Sequence, residues 1–229
     1  MRFYDRVNEM QILQENEAQA ERSAVFTVLM GRRRVGKTSL ITHAMDGREY
    51  AYLFISKDNE AVLCRKLQMS LEDQLGIHVY GNLTHFRDLF EVIMRESVNR
   101  HFTVVFDEFQ TLHKINPAIF SEIQDLWDRY HTESKLNLIV SGSIQSLMKR
   151  IFEDENEPLY GRPTSKFTLR PFTIAVVRGV ICHDLLKNSN SKRSQGKLGS
   201  RPSIQRFILI LKNPFHQRLN AARDNQIQL

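Results

Sequence analysis

The stretch Gly31-Arg-Arg-Arg-Val-Gly36-Lys37-Thr38 carries glycine, lysine and a hydroxyl residue at the spacing G-x-x-x-x-G-K-[ST], a set suited to gripping a chain of phosphates. The glycines let the main chain curl so that the amides of Gly31, Arg32, Arg33, Arg34, Val35, Gly36, Lys37, Thr38 and Ser39 turn toward one anion. A helix opening at Thr38 would present its positive end to the same charge. Lys37 would then neutralise the β and γ phosphates, and the Thr38 hydroxyl would ligate Mg²⁺. The side chains of Arg32, Arg33 and Arg34 point outward in such a loop and are expected to be solvated. A Gly-rich turn that merely precedes a helix is the plain alternative.

A partner to this loop lies about 70 residues downstream, where the apolar run Phe102-Thr-Val-Val-Phe106 ends in Asp107 and Glu108. A strand of that kind delivers its last residues to the sheet edge where open α/β sheets bind ligands. Asp107 would hold Mg²⁺ through water, and Glu108 would polarise the attacking water as a general base. Taken alone, two acids closing a strand are an ordinary solvated pair; the upstream loop is what turns them into half of a site. Ser141 and Ser143 follow the run Leu-Asn-Leu-Ile-Val and either hydrogen-bond the γ-phosphate or its water, or form a simple strand-ending turn. Arg162 is either an arginine finger, in its own or a neighbouring subunit, or a surface side chain. The histidines show no H-E-x-x-H spacing.

The elements that must position these residues alternate short apolar runs with amphipathic stretches, the signature of an α/β domain with a mostly parallel five-stranded sheet between helices. Strands are expected over Val25–Met30, Tyr52–Ile55, Phe102–Phe106, Leu136–Val140 and Lys166–Leu169. Helices are expected over Val7–Gln19, with Val7, Met10 and Leu13 inward, and over Phe86–Val98, with Phe86, Leu89, Phe90, Ile93 and Met94 on one stripe. A third opens at Asn116-Pro117, a cap followed by proline at the first helical position, and is expected to turn Ile119, Phe120, Ile123, Leu126, Trp127 and Tyr130 toward the sheet.

The chain's 229 residues, 41% hydrophobic and 25% charged, allow an ordinary core and exclude wholesale disorder. The net charge of +6 is unevenly spread: residues 173–229 hold ten Lys and Arg against two acids, so residues 1–172 carry −2. The region Asn188–Ser203 is polar and Gly/Ser/Lys-rich and predicts a flexible linker, followed by one short apolar run, Phe207–Leu211. Residues 1–172 are therefore expected to be one domain and 173–229 a basic tail. Cys64 and Cys182 stand far apart without metal-ligand partners, and no apolar run approaches a membrane span, so a reducing, cytoplasmic setting is expected.

Five segments together, Phe3-Tyr-Asp-Arg6-x-x-Glu9, GRRRVGKTSL from Gly31, VVFDEFQ from Val104, SGS from Ser141, and PLYGR with LRPF between Pro158 and Phe172, resemble the prokaryotic "archaeal ATPase" family of AAA-type P-loop proteins. The resemblance covers residues 1–172. It implies a sheet with the loop strand central and the acid-bearing strand two places away, and it makes Arg6 and Glu9 candidates for the adenine side of the pocket. Longer members continue into a helical lid with a Gly-Gly-x-Pro-type motif, a winged-helix module and often a nuclease-like domain. Nothing after Phe172 matches that lid. The loss of acids there fits either an out-of-frame ending or a basic arm, and ATP binding is expected ahead of turnover.

Two functions from different classes follow. The first is an ATP-binding switch or ATPase; the absence of N-K-x-D and L-S-G-G-Q disfavours GTPase and ABC-type readings, and Asp-Glu followed by Phe-Gln suits water activation better than transfer to an acceptor. The second is a non-catalytic nucleic-acid binder whose tail contacts phosphates. Subunit number is left open, with a homo-oligomer one arrangement.

Overall fold

A computed structural model describes residues 6–172. The basic tail, including the apolar run from Phe207, and residues 1–5 lie outside the described residues. Five strands, β1 (Val25–Met30), β2 (Tyr50–Phe54), β3 (Phe102–Asp107), β4 (Leu136–Gly142) and β5 (Ser165–Thr168), form one sheet in the order β2-β3-β4-β1-β5. Every neighbouring pair is parallel. Parallel strands need crossovers, and the helices supply them: α1 (Val7–Ala20), α2 (Lys37–Ala44), α3 (Glu60–Leu75), α4 (Phe86–Asn99), α5 (Leu112–Ile115), α6 (Ile119–Tyr130) and α7 (Gln145–Glu153).

Strand side chains alternate between two cores. Phe26, Val28, Val104, Phe106, Leu138 and Val140 face α3, α4, α6 and α7. Leu29, Val105 and Ile139 face the opposite way, onto Leu13 of α1 and Leu40 and Ile41 of α2. All six residues of β1 and all seven of β4 are buried, the continuous apolar pattern of strands covered on both faces. The resemblance placed the loop strand at the centre; β1 is interior, but the middle strand is β4. The acid-bearing β3 does stand two places from β1.

Three expectations need correction. β2 starts two residues earlier and ends one residue earlier than expected, because pairing of Tyr50 with Thr103 and of Phe54 with Asp107 sets its ends. α6 begins at Ile119: Asn116 Oδ1 accepts from the Ala118 amide at 3.1 Å ahead of the helix, and the Phe120 amide bonds back to the Pro117 carbonyl, a tighter first turn than an α-helix makes. In α1 the buried face is Leu13, Asn16, Glu17 and Ala20, while Val7 is 73% exposed.

That face of α1 matches the sheet beneath it. Past the apolar patch of Leu29, Val105 and Ile139, the same strands present Thr27, Thr103 and Asn137. Asn16 Nδ2 donates to Thr27 Oγ1 at 2.8 Å and to Ser165 Oγ at 2.6 Å. The Glu17 carboxylate accepts from Thr103 Oγ1 at 2.7 Å and Asn137 Nδ2 at 2.6 Å and lies 2.9 Å from His101 Nε2. Polar groups this deep are tolerable because most of them satisfy one another; Asn137 Oδ1 lacks a donor.

Candidate functional site: a phosphate loop facing an acid pair

The phosphate loop leaves β1 between the ends of two neighbouring strands. The Gly31 amide donates to the Gly142 carbonyl at 3.2 Å, and the Leu169 amide donates to the Met30 carbonyl at 2.7 Å. Arg34 (φ +64°) and Gly36 (φ +100°) then turn the chain into α2 through left-handed backbone, which at φ +100° only glycine adopts easily. The first helical bond of α2 runs from the Leu40 amide to the Gly36 carbonyl, so the amides of Lys37, Thr38 and Ser39 have no partner within the helix. Three free donors and the positive end of a helix therefore face the concave side of the loop. The side chains of Arg32, Arg33 and Arg34 are exposed, as are Thr38 and Ser39, and Val35 is half-buried.

Lys37 is 7% exposed, and its Nζ donates to the loop carbonyls of Gly31 at 2.9 Å and Arg32 at 3.3 Å. Burial lowers its pKa from the ordinary lysine value; Asp107 and Glu108 pull it back up, and Arg33 presses it down.

The acid pair sits at the end of β3, on the same sheet edge. Asp107 Oδ2 accepts from the Tyr52 hydroxyl, while Oδ1 accepts from the Ser141 hydroxyl and, at 2.9 Å, from the Glu108 amide. Tyr52 in turn lies 3.1 Å from Thr38 Oγ1, so a single phenol joins α2 to the acid. Glu108 adopts a left-handed backbone (φ +56°), uncommon for a side-chain-bearing residue and concentrated at functional positions. Its Oε2 accepts from Gln110 Nε2 at 2.5 Å and Ser143 Oγ at 2.8 Å. A Cβ on Gly142, between the two serines, would crowd the buried side chains of Met148 and Gln110, so a larger residue there requires both to shift.

The tertiary structure therefore brings Lys37, Thr38, Asp107 and Glu108 to one edge, with both serines bonded to the acids. Ser141 is fully buried, and its hydroxyl donates to Asp107. Arg6 is buried beside the loop, donating to the Arg170 carbonyl at 2.6 Å, pairing with Glu9 at 3.0 Å and covering the Phe172 ring at 4.3 Å. Arg162 is elsewhere. Its guanidinium grips Asp128 of α6 at 2.8 and 3.3 Å, and two residues later the Thr164 amide bonds to the Phe26 carbonyl near the start of β1, the end opposite the loop. A finger role toward its own chain's nucleotide is thus ruled out by position.

Two residues in the site carried no chemical role in the sequence. Gln110 closes the VVFDEFQ segment, but no contact of its own was assigned to it. Tyr52 could be read only from alternation: Ala51 and Leu53 enter one core, so Tyr50 and Tyr52 must face the other, where α2 lies.

Among the described residues no cluster of three His, Cys, Asp or Glu side chains forms a metal site, and no helix is long and apolar enough to cross a membrane. Cys64 is buried, which pushes its thiol up to about 12; Cys182 lies outside the described residues.

Comparison with known proteins agrees with this geometry. The chain is 28% identical over 169 residues to the uncharacterized protein MJECL04 of Methanocaldococcus jannaschii, covering 74% of this chain and 36% of that protein. Among solved structures it is similar to the Walker-type ATPase PABY2304 of Pyrococcus abyssi (21% identity, TM-score 0.56, 76% of this chain and 55% of that one). It is also similar to the Aeropyrum pernix Orc1 protein solved in complex with DNA (13% identity, TM-score 0.57, 81% and 50%). The chain thus spans about a third to a half of the proteins it matches, and at these identities the solved structures speak for the fold alone. The model of an ATPase domain predominantly from Archaea matches residues 3–181, nine residues beyond the expected limit at Phe172. With that match over most of its length, and with a five-stranded parallel P-loop sheet beneath it, the chain belongs to this archaeal ATPase family.

Proposed function

We propose that this domain binds ATP with Mg²⁺ and hydrolyses it slowly, serving as a nucleotide-dependent switch. The observation that carries the proposal is the hydrogen-bonded line from Thr38 through Tyr52 to Asp107, which sets the loop and the acid pair on one edge. The donor set suits Mg²⁺, a hard cation that keeps several waters and is held by one or two carboxylates plus phosphate oxygens. Thr38 and Asp107 would hold it, and when bound it supplies positive charge against the β and γ phosphates.

The chain's own residues account for the rest. Free amides of Lys37, Thr38 and Ser39 bind phosphate oxygens, and Lys37 Nζ exchanges its loop carbonyls for them. Both hydrogen bonds to Glu108 fall on Oε2, so Oε1 is the oxygen that takes the proton as water attacks the γ-phosphorus and ADP leaves. Arg6 and Glu9 border the base, Ser141 and Ser143 steady the acids, and Arg162 takes no part within one chain.

ATP with Mg²⁺ should raise the melting temperature of the wild-type chain and not that of Lys37→Ala. At 100 times Kd, binding contributes about 2.7 kcal/mol, and a domain of this size gains roughly 2–4 °C per kcal/mol. A shift of about 5–10 °C is therefore expected in thermal melts. Equal shifts in both proteins, or none in either, would remove the proposal.

A second role concerns residues 173–229, which we propose act as a separate basic tail. Their net charge of +8 favours nonspecific contact with nucleic acid. Fluorescence anisotropy with a short duplex should show weak, salt-sensitive binding that deletion of 173–229 abolishes; binding that survives the deletion would assign it to the folded domain.

A further inference from the structure

Resting on the ATP reading above, we infer that Tyr52 is a positioning residue for the divalent cation, holding both protein groups that would bind it in their working orientation. Tyr52 is not itself a ligand in this account. It acts through its neighbours.

The inference comes from counting protons and lone pairs. Asp107, as a carboxylate, can only accept, so the hydrogen bond between Tyr52 and Asp107 Oδ2 uses the phenol's single proton. The remaining contact, 3.1 Å from the Tyr52 oxygen to Thr38 Oγ1, must then run the other way, with the Thr38 hydroxyl donating to the phenol oxygen. Directed there, the Thr38 proton is turned away from the loop, and both lone pairs of Oγ1 are free for a cation. A freely rotating hydroxyl would present its proton to the metal for part of the time.

Asp107 is constrained on both sides. Ser141 and the Glu108 amide hold Oδ1, and Tyr52 holds Oδ2 while leaving that oxygen a second lone pair for metal-bound water. The ring is placed by its strand: Tyr52 pairs with Val105 and is half-buried against the core formed by α1, α2 and the sheet. The β2 backbone beneath it is tied to α3, because the Tyr52 amide donates to Gln74 Oε1 at 2.9 Å.

Groups in this outer position commonly change metal affinity by about 10- to 100-fold when removed. Tyr52→Phe keeps the ring and deletes the hydroxyl. Binding of a fluorescent ATP analogue is measured in wild type and variant, once with Mg²⁺ and once with EDTA. Wild type should bind more tightly with Mg²⁺, and Tyr52→Phe should lose about 10-fold in Mg²⁺ while its affinity in EDTA is unchanged. A purely packing role would lower both affinities together and overturn the inference. An unchanged or tighter Mg²⁺ affinity in the variant would overturn it too, the latter making the phenol a competitor of the cation. Failure of wild type to bind in either condition would instead sink the ATP reading itself.

Should Tyr52→Phe unfold, 3-fluorotyrosine placed at position 52 alone preserves hydroxyl and packing. Its ¹⁹F resonance should move when Mg²⁺ is added to the nucleotide-bound protein, and a resonance blind to Mg²⁺ would reject the role.

Discussion

Glu108→Gln should lower ATP hydrolysis by about 10²- to 10⁴-fold while leaving ATP affinity within a few-fold of wild type. The substitution removes a base and little else. Glutamine has the same length, and its amide oxygen can still accept from Ser143 Oγ and Gln110 Nε2, the two donors that now hold Oε2. The loop amides are untouched, Lys37 keeps its loop carbonyls and the charge of Asp107, and Asp107 keeps its three donors. Single-turnover release of phosphate from saturating Mg-ATP measures the first quantity, and titration of a fluorescent analogue measures the second. Unchanged turnover would place the base elsewhere; parallel loss of binding would make Glu108 a structural residue of the 3₁₀ turn it opens (Phe109–Thr111).

The second large effect is on stability and lies at the far end of the sheet. Glu17→Ala should destabilise the domain by roughly 3–5 kcal/mol, because one deletion takes the carboxylate from the buried Thr103 Oγ1 and Asn137 Nδ2, which keep only their 3.1 Å contact with each other, and from the half-buried His101 Nε2. Each orphaned group costs about 1–3 kcal/mol, though neighbours do not add fully. Asn137 Oδ1, buried and without a donor, can recapture part of this network, and that relaxation sets the lower end of the range. Against a total stability of about 5–15 kcal/mol for a domain, the loss is a large share. Urea unfolding should show an earlier midpoint with an unchanged slope. Glu17→Gln, which keeps one acceptor oxygen, should lose less, and a loss below about 1 kcal/mol for Glu17→Ala would mean the network is not buried as described.

These two glutamates mark the limits of what could be read in advance. Glu108 was legible because a Gly-rich turn followed by a helix, and an apolar strand ending in acids, are local patterns whose chemistry is set by backbone geometry and residue type. The same holds for the strands, whose apolar runs reflect burial on both faces, and for α4, where Phe86, Leu89, Phe90, Ile93 and Met94 are all buried. Glu17 was not legible. On α1 the apolar spacing suggested Val7 as part of the inner face, yet Val7 is exposed and Asn16 and Glu17 are buried. Burial of those two depends on Thr27, Thr103 and Asn137, which come from three other strands.

What the sequence determined by itself was the class of fold and the chemistry held in two short motifs, since both follow from interactions among residues a few positions apart. Only the tertiary structure decided which distant groups meet: Tyr52 with Thr38 and Asp107, Ser143 with Glu108, and Arg162 with Asp128 at the opposite end from the loop. Those meetings depend on strand order and register. A parallel sheet places residues 14 to 55 positions apart within hydrogen-bonding distance, and no periodicity along the chain encodes that choice.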